Sequence, residues 1–242
     1  MRMVGGALAR LGRGARRLPW VIAAAVLVVI TVVAVSMQRG PTGGDPTRTS
    51  TVRVGVASGA PIDAYLASAR AELAGTARGG TPIVALVGFV RYVEAVELGT
   101  LLDGAAVSLV LTRVPLPGEQ SELLRLPAVR LPDDVVAGMD AAAVRKDAEA
   151  VRYAGLADGA ADPERRSVYA AAARVATAEA VAYRRHCACA YAAVIRAVPD
   201  VLATLGSGSE VRFVDPAPEV RRLDRAVFLP PLPDQVGLAG PP

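Results

Sequence analysis

The chain has 242 residues, enough for one globular domain with additional segments. Its formal net charge is +4, but the first 17 residues hold five Arg and no acid. Residues 18–242 carry 22 basic and 23 acidic side chains, so the expected domain lacks the basic excess of a nucleic-acid-binding protein.

The use of amino acids is strongly biased. Lys146 is the single Lys among 27 basic residues, and the chain has no Asn. Codons for Lys and Asn are rich in A and T, so the bias is typical of a GC-rich genome, such as that of an actinobacterium. Aromatic residues make up only 4% of the chain, so the core must rely on Val, Leu and Ala.

Residues 18–37 (LPWVIAAAVLVVITVVAVSM) contain no charge. A helix of twenty residues rises about 30 Å, the thickness of the hydrocarbon core of a bilayer. This pattern predicts a transmembrane helix, with Trp20 at the membrane interface. Its flanking topology determinants are Arg10, Arg13, Arg16 and Arg17. By the positive-inside rule, residues 1–17 are an Arg-rich cytoplasmic tail and the rest of the chain lies outside the plasma membrane.

A cleaved signal peptide is the alternative for this segment. The small residues at 34–36 (AVS) suit a cleavage site, but signal peptides usually have apolar regions of about 7–15 residues. The longer run here favours a retained, single-pass anchor, and either interpretation exports the domain. Residues 38–50, rich in Gly, Pro, Ser and Thr, predict a flexible linker.

The first part of the exported chain predicts alternating strands and helices. Residues 51–57, 82–93 and 106–114 have strand patterns, and residues 61–76 and 94–102 have helical ones. The order β-α-β-α-β indicates a small sheet with helices packed on it.

The second part is dominated by helices. Residues 133–156 predict one helix, with small apolar residues at 137, 141, 144, 148, 151 and 155 facing a partner. Asp162-Pro163-Glu164 predicts the start of a second helix reaching Val198. Together they predict a long, Ala-rich antiparallel helical hairpin. A strand at 210–215 returns to the sheet, and 226–229 adds an edge strand. The fold class is therefore α+β, with an extracytoplasmic domain over 51–229 and a Pro-rich, mobile tail over 230–242.

His186, Cys187 and Cys189 are the only His and the only two Cys of the chain. Three interpretations remain open. Cys187 falls on the apolar stripe of the second helix and is then a buried small residue. A Cys187–Cys189 disulfide suits an oxidising compartment, but side chains two apart on a helix diverge, so it requires a broken helix. A copper or zinc site is the third, with an incomplete set of ligands.

No sequence motif indicates a catalytic centre or a cofactor. The glycines form no phosphate-binding loop, and Gly206–Ser209 is a turn rather than a nucleophile elbow. We therefore expect a non-enzymatic envelope protein that binds or scaffolds. Its expected partners are the bilayer, through residues 18–37, and an envelope protein or a second copy, through the helical hairpin. The alternative is a thiol redox or metal-handling protein that uses Cys187 and Cys189 with His186.

Overall fold

The computed structural model describes residues 51–77 and 79–240. It contains seven strands: β1 (Val52–Gly55), β2 (Ile83–Val93), β3 (Ala106–Thr112), β4 (Leu124–Pro127), β5 (Ala190–Ala197), β6 (Val211–Pro216) and β7 (Ala226–Leu229). Five of them form an antiparallel sheet in the order β4-β3-β5-β2-β6, and β1 and β7 form a separate parallel ribbon.

Strand β2 lies inside the sheet, between β5 and β6. The strand has eleven residues, and six consecutive ones, from Val84 to Phe89, are buried. The near-continuous apolar run predicts such a strand, because a strand covered on both faces has no solvent side for polar residues. This prediction is confirmed.

One face of the sheet is covered by helices. They are α2 (Leu98–Leu101, after a 3-10 turn at Ala95–Glu97), α3 (Asp133–Gly159), α4 (Pro163–Arg184) and α5 (Pro199–Gly206). Met139 of α3 and Tyr183 of α4 pack with Val87 and Ile195 of the sheet in one buried apolar cluster. The α+β class and the long helical pair are thus confirmed. The start of α4 follows its sequence signal, because Asp162 Oδ1 accepts a 3.1 Å hydrogen bond from the Glu164 N–H.

The other face is covered by the ribbon and by α1 (Ile62–Gly75). Val54 of β1 and Phe228 of β7 join Leu86 and Val194 of the sheet in a second apolar cluster. The predicted β-α-β-α-β order is present along the chain, but its first strand pairs with β7 instead of joining the main sheet. Strand β4 was not predicted.

The contact face predicted for α3 is wrong. Val144 and Val151 of the predicted stripe are exposed, and the residues of α3 that are buried near the sheet include Val135, Met139 and Lys146. On α4 the predicted apolar stripe that contains Cys187 also includes Ala176, Ala180 and Tyr183, and these three residues are buried. The apolar pattern could not identify this face, because Lys146 is buried there in ion pairs with three carboxylates.

The segment after β7 contacts the start of α1. The Ala239 N–H donates to the Ala60 carbonyl over 2.9 Å, and the Ile62 N–H donates to the Gly237 carbonyl over 2.9 Å. The Arg212 guanidinium also donates to the Gln235 carbonyl over 2.9 Å. The sequence predicts a mobile tail, whereas these hydrogen bonds attach residues 230–240 to the domain.

Residues 1–50 lie outside the described residues. They include the predicted tail (1–17), transmembrane helix (18–37) and linker (38–50). Among the helices of residues 51–77 and 79–240, none is both long and apolar enough to cross a membrane.

Candidate functional site

The corner between α4 and β5 holds the His186, Cys187 and Cys189 cluster. Helix α4 ends at Arg184, and His186 adopts a left-handed backbone conformation with φ of 50°. The predicted continuation of this helix to Val198 is therefore wrong. Residues 190–197 instead form β5, whose side chains are buried except Arg196. This segment pairs with β2 on one side and with β3 on the other. These tertiary contacts outweigh the helical pattern of the Ala-rich segment.

Cys187 and Cys189 form a disulfide at this corner, with their Cα atoms 5.3 Å apart. The broken helix that such a bond requires is present. Cys189 is fully buried, and its N–H donates to the Val93 carbonyl over 3.1 Å. Cys187 is only partly buried. Of the three interpretations, the structure shows the disulfide, and within the described part of the chain no three His, Cys, Asp or Glu residues come together as metal ligands.

His186 contacts a residue that the sequence did not associate with it. Its Nε2 atom lies 2.9 Å from Asp140 Oδ1 of α3, and both side chains are exposed. The carboxylate fixes the orientation of the imidazole beside the disulfide. No nucleophile of the described residues hydrogen-bonds to this pair, so the contact ties the corner to α3 without forming a catalytic triad.

An ionic cluster around the buried Lys146 and Glu179 lies between α3 and α4. Lys146 Nζ lies 2.7 Å from Glu122 Oε2, 2.9 Å from Glu149 Oε2 and 2.9 Å from Glu179 Oε2. Burial alone lowers the pKa of Lys146, but the hydrogen bonds to the three carboxylates outweigh it and raise that pKa overall. Because every charge in the cluster has a partner of opposite sign, we interpret the cluster as a structural link between α3 and α4. Sequence reasoning identified Lys146 as unique without placing it there.

A second buried polar pair joins α1 to the sheet. The Tyr65 hydroxyl donates a 2.8 Å hydrogen bond to Asp215 Oδ2 of β6. Burial raises the pKa of Asp215 to about 6, although the hydrogen bond from Tyr65 opposes this shift. Glu72 and Glu219 add to it, because their negative charges disfavour a third carboxylate nearby.

An apolar groove of about 400 Å³ opens on the ribbon side of the sheet. We define it by its floor, made of Leu111, Tyr191 and Phe228, and by its rim. The rim includes Arg53, Ser58, Leu123, Arg125, Leu232 and Gln235. A volume in the range of roughly 300–1,000 Å³ is typical of pockets for small ligands. No sequence signal identifies the groove, since its lining comes from five strands and the C-terminal segment.

The groove carries two kinds of polar group. Tyr191 is only 2% exposed and lines the groove. Burial raises the pKa of Tyr191, so the hydroxyl stays neutral and able to donate. Arg53 and Arg125 form no ion pair with a carboxylate of the described chain. The groove thus combines an apolar floor with two exposed guanidinium groups at its rim.

The predicted topology determinants Arg10, Arg13, Arg16, Arg17 and Trp20 lie outside the described residues. Comparison with known protein families, with curated proteins and with solved structures finds no match for this chain.

Proposed function

We propose that this chain is a single-pass membrane protein of a GC-rich bacterium, and that its extracytoplasmic domain binds a partner in the cell envelope. The proposal joins the uncharged run at 18–37 and the Arg residues before it to the disulfide of the domain. Disulfides persist mainly in oxidising compartments, so the Cys187–Cys189 bond supports an exported domain.

The far half of the helical hairpin carries the binding proposal. We call residues 147–159 and 163–175 the helical arm. Ala157 is the only fully buried residue of the arm, whereas the near half of each helix packs on the sheet through several buried residues. Val151 is 74% exposed and Val168 is 60% exposed. Two Ala-rich helices bury little apolar area alone, so a partner that covers these valines stabilises the arm.

Photo-crosslinking in living cells tests this function. A benzophenone amino acid replaces Val151 or Val168 in the full-length chain, and Val129 serves as the matched control because it is 79% exposed but lies outside the arm. We expect discrete crosslinked products from the arm positions alone. A product of twice the chain mass identifies a second copy, and another discrete mass identifies an envelope protein. Equal crosslinking from position 129, or none from the arm, contradicts the proposal.

The topology has its own test. Both native cysteines are bonded, so an introduced cysteine is the only free thiol of the described chain. We expect a membrane-impermeant maleimide to label Val129→Cys on intact cells, and Gly5→Cys only after the cells are permeabilised. Labelling of Gly5→Cys on intact cells contradicts the proposed orientation.

Thiol–disulfide exchange is the second candidate, favoured by the partly exposed Cys187 beside the buried Cys189. A substrate thiolate attacks Cys187 Sγ, the Cys187–Cys189 bond breaks, and its electron pair leaves on Cys189. A second thiolate of the substrate then attacks the substrate sulfur of the mixed disulfide and releases Cys187. The substrate dithiol is oxidised to a disulfide, and the two cysteines are reduced.

The burial of Cys189 ranks this candidate below binding. The leaving thiolate would form among apolar side chains, which do not solvate its charge, so its departure is slow. The test mixes the purified full-length chain with a stoichiometric amount of a reduced dithiol peptide. Formation of one peptide disulfide per chain, and its loss in both Cys187→Ala and Cys189→Ala, supports exchange. Exchange is excluded if the native chain forms the peptide disulfide no faster than the variant in which both cysteines are replaced by Ala.

A further inference from the structure

The groove on the ribbon side of the sheet is separate from the helical arm and from the disulfide. Its floor is formed by side chains of β3, β5 and β7, and the C-terminal segment closes one side through Gln235 and Ala239. Leu111 and Phe228 are buried in the apolar cluster on this side of the sheet, so the floor is apolar. An apolar cavity of this kind favours a hydrocarbon body over a polar one.

Tyr191 places one polar group in this apolar lining. Its side chain is 2% exposed and lines the groove. Burial raises the pKa of its hydroxyl, so the hydroxyl stays neutral and is able to donate a hydrogen bond to an oxygen of a bound molecule.

The charges at the rim identify the sign of the ligand. Arg53 on β1 and Arg125 on β4 approach the groove from two separate elements, and neither has a carboxylate partner in the described chain. Guanidinium groups bind carboxylates and phosphates through paired hydrogen bonds. The rim is therefore complementary to an anion.

The volume limits the size of the ligand. A volume of about 400 Å³ lies in the lower part of the range of roughly 300–1,000 Å³ that is typical of small-ligand pockets. One medium-length chain fits this space, whereas the two chains of a phospholipid do not. We propose that the groove binds a single-chain amphiphile with an anionic head group, such as a fatty acid. The chain lies over Leu111 and Phe228, and the head group lies at Arg53 and Arg125.

Photo-labelling of the full-length chain in native membrane vesicles tests this proposal without detergent, which would compete for the groove. The probe is a ten-carbon fatty acid with a diazirine on its chain, and the labelled peptides are mapped by mass spectrometry. We expect labels in residues 111–125 and 226–240. The methyl ester of the same probe should label these peptides at least tenfold less, because it lacks the charge that the arginines recognise.

Variants separate the contributions of the rim and the floor. We expect Arg53→Gln with Arg125→Gln to reduce labelling at least tenfold, and Tyr191→Phe to reduce it about threefold, the effect of one lost hydrogen bond. Leu123→Trp, at an exposed position of the rim, should block entry. Arg70→Gln is the control, since Arg70 is exposed on α1 and does not line the groove. The labelling of a variant is compared with that of the native chain only if the two chains have the same melting temperature.

Three results would overturn the proposal. Equal labelling by the acid and the ester would show that the groove accepts apolar chains without recognising an anion. Stronger labelling by a diazirine phospholipid than by the free acid would contradict a single-chain ligand. Labels confined to residues 18–37 would show that the probe only reports the surrounding lipid.

Discussion

Lys146 Nζ lies 2.9 Å from Glu179 Oε2, and both side chains are almost completely buried between α3 and α4. The other oxygen of Glu179 accepts a 2.7 Å hydrogen bond from the Glu122 N–H. Glu122 lies just before β4 and also contacts Lys146. The pair therefore connects the helical hairpin to the segment that leads into the edge strand of the sheet.

We predict that Lys146→Met destabilises the full-length chain by about 3–5 kcal/mol, since it leaves the buried Glu179 charge without a partner. Urea unfolding measures this change. Arg145→Met is the control, because Arg145 contacts Glu122 only in an exposed ion pair and should cost about 0–1 kcal/mol. A cost for Lys146→Met as small as that of the control would contradict the structural role of the cluster.

Asp215 predicts a dependence of stability on pH. Its folded pKa of about 6 exceeds the ordinary value of about 3.9, so the folded state retains this proton to a higher pH than the unfolded state. Its favourable contribution is complete below about pH 4 and is lost as the pH rises through 6, a decrease on the order of 3 kcal/mol.

Asp215→Asn isolates this effect, because the amide oxygen still accepts the hydrogen bond from Tyr65 and does not titrate. We expect the variant to match the native chain at pH 4 and to be more stable above pH 6, in urea unfolding across this range. Asp63→Asn, at an exposed position on the helix that carries Tyr65, is the control. A constant stability difference between Asp215→Asn and the native chain at all pH values would argue against the raised pKa.

Gly88 predicts a steric limit between two strands. It pairs with Phe213 across β2 and β6, and a Cβ atom at position 88 would overlap the Phe213 ring. We expect Gly88→Ala to cost about 1–3 kcal/mol of unfolding free energy, measured by thermal or urea unfolding. Gly99→Ala meets open space and should not destabilise the chain. Tolerance of both changes alike would place the Phe213 ring elsewhere.

The disulfide predicts unequal thiol reactivity after reduction. Because Cys187 is partly exposed and Cys189 is fully buried, we expect Cys187 to react with maleimide at least tenfold faster in the reduced, folded chain. Peptide mass spectrometry follows each position over time, and urea should equalise the two rates. Equal rates without urea would mean that reduction unfolds the corner between α4 and β5.

The elements with strong local signals could be predicted from the sequence. The apolar run of β2 requires cover on both faces, and Asp162-Pro163 starts a helix through its own hydrogen bond and its fixed φ. The predictions that failed concern segments whose secondary structure depends on residues distant in the sequence. Residues 190–197 are compatible with a helix and become a strand because β2 and β3 provide hydrogen-bonding partners on both sides.

The sequence by itself determined the α+β class and the helical hairpin, through local periodicity and helix-end signals. It also showed which reactive residues are rare, since it contains one His, two Cys and one Lys. Only the tertiary structure decided that Cys187 and Cys189 are bonded, that Lys146 is buried among carboxylates, and that Tyr191 lines a groove with Arg53 and Arg125. Such contacts join residues far apart in the chain, and their free energy depends on burial and geometry that local patterns do not encode.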